Sequence, residues 1–124
     1  MSGFSTSKEG REEALANGWQ VIVPKDNELI LDIDTEEQIS NSIEAMQSFD
    51  DLISFSATYP SKSGEPNHYH VYITLYSPLS IIERIAFQAI LGSDRLRELN
   101  AFRRYMLKDP EPILAFESED FKRL

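Results

Sequence analysis

The chain has 124 residues, with 21 acidic against 12 basic side chains, a formal net charge of −9 and no cysteine. Disulfides and thiolate metal sites are excluded, and a surface built overall to grip a phosphate backbone is disfavoured. The length suits one domain spanning 1–124, no apolar run is long enough for a membrane span, and "MSGFSTSKEG" holds no apolar signal core, so a cytoplasmic location and no membrane partner are expected.

Ser7 to Ala16 reads as a helix stopped by Asn17-Gly18. "WQVIVP", 19–24, reads as a short strand ended by Pro24, with Trp19 packing it as an extra edge. "ELILDID", 28–34, alternates Leu29, Leu31 and Ile33 with Ile30, Asp32 and Asp34, which is a strand pattern. Thr35 and Gln38 form a capping box that opens a helix to about Phe49, with Ile39, Ile43 and Met46 inward. "LISFSATY", 52–59, predicts a strand, "PSKSGEPN" a loop, and "NHYHVYITL" a strand that carries both histidines of the chain. Ser80 and Glu83 cap a helix through Leu91, and Gly92 breaks it. Ser93 or Asp94 starts another, with Leu96, Leu99, Phe102 and Met106 inward, ending at Asp109-Pro110. "ILAFE", 113–117, predicts a last strand.

From residue 28 the order is β-α-β-β-α-α-β. This predicts an α+β fold, a βαββαβ split unit of RRM-like or ferredoxin-like type over 28–117, with a 1–27 extension and a charged 118–124 tail. Its usual sheet order puts the last strand beside the first and leaves one face open. Strand parity then sends Asp32, Asp34, His68, His70, Tyr72 and Glu117 to that face. Carboxylates at i and i+2 of a strand suit hard cations such as Mg²⁺ or Mn²⁺. A D-x-D that merely ends a strand and leads into a helix cap is the competing explanation. Acids crowd the N-terminal third, whereas Arg95, Arg97, Arg103, Arg104 and Lys108 gather late, so contact with nucleic acid is expected to be local and to involve that segment, with Arg104 as a candidate.

"LILDID" followed by "SKSGEPNHYHVYI" resembles the first two motifs of the archaeo-eukaryotic primase superfamily, and the chain also looks like its small phage-encoded relatives. The resemblance implies a palm domain performing Mg²⁺- or Mn²⁺-dependent nucleotidyl transfer on a nucleotide or nucleic acid, in the cytoplasm of a bacterial host if phage-encoded. It implies Asp32 and Asp34 as metal ligands, with Ser61, Ser63, Gly64, His68 and His70 toward the incoming phosphates. The third carboxylate is Glu117 or, in competition, Asp94. "HYH" with Tyr105 and Lys108 is also similar to the metal and nucleophile motifs of HUH endonucleases, which implies a single-strand DNA nickase instead. A non-catalytic module that binds a host protein is the third alternative.

Overall fold

The computed structural model describes residues 5–123. In chain order these form α1 (Ser7–Asn17), β1 (Gln20–Ile22), β2 (Glu28–Ile33), α2 (Glu36–Gln47), β3 (Ile53–Pro60), β4 (Tyr69–Leu75), α3 (Ile81–Ile90), α4 (Arg95–Met106) and β5 (Ala115–Glu117). The fold is α+β, with two small antiparallel sheets: β2-β4-β3 and β1-β5.

Capping boxes start α1 at Thr6, α2 at Thr35 and α3 at Ser80, each with the Glu or Gln three residues on returning the bond. Gly18, left-handed at φ 71°, ends α1. On the three-stranded sheet, Leu29, Leu31 and Ile33 of β2 and Val71, Ile73 and Leu75 of β4 face Phe87 and Leu91 of α3, with Ile39, Met46 and Phe49 closing the cluster. This face is the main core, and it obeys the expected period of two.

The fourth strand departs from expectation. β5 does not lie beside β2; it pairs with β1, setting Gln20 opposite Glu117. The reason lies along the free edge of β2, where the corner between α3 and α4 satisfies the backbone that a strand would have used. Ile30 N–H donates to Gln88 Oε1 at 3.0 Å, Asp32 N–H donates to Ser93 Oγ at 2.9 Å, and Asp32 C=O accepts from Asp94 N–H at 2.7 Å. Ile30 C=O accepts from Arg97 Nη1 at 2.5 Å. With those groups met, β2 has no ladder left to offer β5 along this stretch.

This arrangement also reverses α4. Leu96, Leu99, Phe102 and Met106 were expected inward, but Phe102 is 45% and Met106 60% exposed, and Leu96 and Leu99 are likewise exposed. Glu98, Ala101 and Arg104 are buried instead. The helix turns its polar face inward because that face supplies Arg97 to the β2 edge and Glu98 to the Gln88, Ser93 and Arg97 side chains that meet it, and those backbone groups need partners more than the apolar stripe needs cover. In α2, similarly, Ile43 is exposed while Ser42 is 1% exposed and donates to Leu91 C=O at 2.7 Å.

The second face of the sheet is not open throughout. The β1–β5 pair and the chain after it cover part of it, packing Ile22, Ala115 and Phe121 on Ile30, Tyr59 and Tyr72. Arg123 lies over the Tyr72 ring and pairs with Glu28. Leu114 and Phe116 point the other way, to Gly10 of α1, and Phe116 stacks on Trp19. Thus the expected parity of the last strand survives, although its partner strand changed.

Candidate metal centre

Asp32 is in β2, directly opposite His70 of β4. Asp34 follows one residue after β2 ends, and its N–H donates to Gln38 Oε1 at 2.9 Å, which holds it at the mouth of α2. Asp94 is the N-cap of α4, accepting from Arg97 N–H at 3.0 Å, while its own N–H is tied to Asp32 C=O. These three anchors bring one carboxylate oxygen of each of Asp32, Asp34 and Asp94 within 4.8 Å of one another. It is the one group of three or more potential metal-ligating side chains among the described residues.

Burial, together with the neighbouring Asp32 and Asp94 carboxylates, pushes the Asp34 carboxyl above the ordinary aspartate range, and His68 only partly offsets this. The starts of α2 and α4 lie beside the cluster, and their positive dipole ends favour negative charge there. The donor set is three hard oxygens in mutual repulsion, which fits Mg²⁺ or Mn²⁺ and does not fit a soft metal. The structure therefore assembles Asp94 with the D-x-D pair, and Glu117 takes a different position.

Glu117 is 1% exposed and stands outside the three-aspartate group, on the far side of His70 from Asp32. Its Oε2 accepts from His70 Nδ1 at 2.7 Å and from Tyr72 OH at 2.5 Å. Burial and that bond to Glu117 hold the Tyr72 phenol above its ordinary range, so it remains a neutral donor. His70 Nε2 stands 3.6 Å from Asp32 Oδ1. His68 is more exposed; its Nδ1 is 3.6 Å from Asp34 and its Nε2 3.4 Å from Glu65. The two imidazoles thus address different carboxylates and do not converge on a shared ligand position.

A cleft of about 300 Å³ opens beside the cluster, lined by Asp32, Asp94, His70, Lys62, Arg97 and Asn100, among others. Lys62 reaches it from the β3–β4 loop, with its Nζ 4.4 Å above the Trp19 ring. The sequence analysis passed over Lys62, although it stands between the two serines of "SKSG". Ser61 and Ser63 use their hydroxyls within the loop, accepting from Ser63 N–H at 3.4 Å and Glu65 N–H at 3.3 Å, and Gly64 takes φ 69°. Arg104 also borders the cleft, but its guanidinium is committed to Pro112 C=O and Ser5 C=O, each at 3.0 Å. Tyr105 is exposed near the end of α4 and does not line the cleft.

No family model matches the chain, and neither a curated protein nor a solved structure matches it.

Proposed function

We propose that the protein is a divalent-metal-dependent nucleotide- or polynucleotide-processing enzyme, with Asp32, Asp34 and Asp94 holding Mg²⁺ or Mn²⁺. One observation carries this reading: three carboxylates crowd within 4.8 Å at the edge of a cleft that also presents His70, Lys62 and Arg97. Acid crowding beside cations is the pattern expected where a metal and phosphate oxygens meet. The strand order β2-β4-β3, with α2 crossing from β2 to β3, is compatible with a palm-like βαββαβ ancestry of the primase type in which the α3–α4 corner takes the β2 edge where a fourth strand would lie.

When bound, the cation supplies Lewis-acid polarisation of a phosphoryl oxygen and neutralises developing charge. The chain's own residues do the rest. Asp94 is tied to Asp32 by one backbone hydrogen bond, from Asp94 N–H to Asp32 C=O. Lys62 offsets phosphate charge across the cleft, and His70 faces the reacting group through Nε2. Asp32, Asp34 and Asp94 together also favour this reading over the nickase alternative, since His68 and His70 do not converge and Tyr105 is outside the cleft.

The test is metal-dependent binding of a fluorescent nucleoside triphosphate. Wild type should bind in Mn²⁺ and lose the signal on chelation, and Asp32→Ala should weaken binding at least about tenfold. Absence of any Mn²⁺-dependent binding at millimolar metal would overturn the proposal.

A further inference from the structure

Glu117 is a buried carboxylate that bonds the cleft residue His70 and that the metal reading leaves unused. It lies at the end of β5, and its Oε2 receives two donors, His70 Nδ1 at 2.7 Å and Tyr72 OH at 2.5 Å. A carboxylate only accepts, so the hydrogen bond at 2.7 Å requires a proton on Nδ1 of His70. Tyr72, opposite Ile30 in the ladder and packed by Tyr59 and Phe121, holds the carboxylate from its other side. The His70 side chain is only 11% exposed, and with Nδ1 committed, its remaining ring nitrogen is the one beside Asp32 at the cleft.

We infer that Glu117 is the positioning residue of His70: it fixes the proton on Nδ1, locks the ring plane and turns Nε2 toward the cleft. In the neutral imidazole one nitrogen donates and the other accepts. Nε2 is therefore the His70 atom that meets the ligand group in the cleft. This deepens the reading of the cleft as a phosphate-processing site and rests on it. It also assigns Glu117 outside the metal ligands.

Long-range ¹H–¹⁵N correlation NMR of the imidazoles tests this on the metal-free protein. The chain has only two histidines, and His68→Gln assigns the pair. At pH 8.5 His70 should show a protonated Nδ1. In Glu117→Leu the proton should redistribute to Nε2. A bare Nδ1 in wild type, or an unchanged pattern in Glu117→Leu, overturns the inference. If the variant does not fold, the wild-type spectrum decides alone. A second arm measures Mn²⁺ affinity by calorimetry: Glu117→Leu should match wild type within about twofold, whereas a tenfold loss would make Glu117 a metal ligand and overturn the positioning role. Failure of wild type to bind Mn²⁺ would remove the metal reading and leave the spectra to judge Glu117.

Discussion

The buried acid Glu98 with its partners, and the cluster of Asp32, Asp34 and Asp94, meet at the α3–α4 corner, and they are built in opposite ways. Glu98 is 4% exposed, and its oxygens are matched by donors: Gln88 Nε2 at 2.8 Å, Ser93 Oγ at 2.7 Å and Arg97 Nη1 at 2.7 Å. Those same three side chains cap the edge of β2. Asp32, Asp34 and Asp94, by contrast, turn oxygens toward one another, and the cluster pushes the Asp34 carboxyl up. A buried acid with a full set of donors is a structural part. Acids that crowd together repel one another, and under the proposed function a bound cation would relieve that repulsion. The first group holds the second in place, because Ser93 accepts from Asp32 N–H and Arg97 N–H donates to Asp94.

The largest effect should come from breaking the satisfied group. Glu98→Ala leaves Gln88, Ser93 and Arg97 without their shared acceptor, and removing one partner of a buried ionic network costs about 3–5 kcal/mol. Urea unfolding should show that loss; a change under about 1 kcal/mol would mean the network is not what closes the β2 edge. Next comes the hinge between the groups. Gly92 has φ 95°, and a Cβ there would meet Ser42 Oγ at 3.0 Å. Gly92→Ala should cost about 1–2 kcal/mol from left-handed strain, more if Ser42 cannot shift. Equal stability of the two proteins would show that the corner relaxes freely.

The smallest effect has the opposite sign. Asp34→Asn should stabilise the metal-free protein, by no more than about 1 kcal/mol because the group is partly exposed and screened. Its folded-state carboxyl lies above the unfolded value, so ionised Asp34 opposes folding above that folded-state value. That penalty fades as pH falls through the raised value toward and below the ordinary aspartate range. The stabilisation by Asp34→Asn should therefore be present at pH 7 and absent near pH 3. Destabilisation at pH 7 would mean that the carboxylates are not in net repulsion.

Much of the main core was legible. Leu29, Leu31 and Ile33, and the alternation of the histidine strand, needed only a period of two, and the capping boxes at Thr35 and Ser80 were expected, whereas the one at Thr6 was not. The parity that set Asp32 and His70 on one face also followed from it. What the sequence hid was α4. Its apolar residues at helical spacing imitate a core face, whereas the inward face reads as Arg97, Glu98 and Arg104. Burial of such groups follows from backbone vacancies on β2, which no residue pattern within α4 records. The same vacancies drew Asp94 to Asp32, so the choice of Asp94 over Glu117 beside the D-x-D pair rested on a contact outside either motif.

The central claim is that Asp32, Asp34 and Asp94 form the metal site, and calorimetry with Mn²⁺ on wild type, Asp94→Ala and Glu117→Leu tests it most directly. The account predicts saturable binding by wild type, at least about a tenfold loss in Asp94→Ala, and near wild-type affinity in Glu117→Leu. No binding by wild type at millimolar Mn²⁺, or loss in Glu117→Leu with Asp94→Ala unaffected, would contradict it.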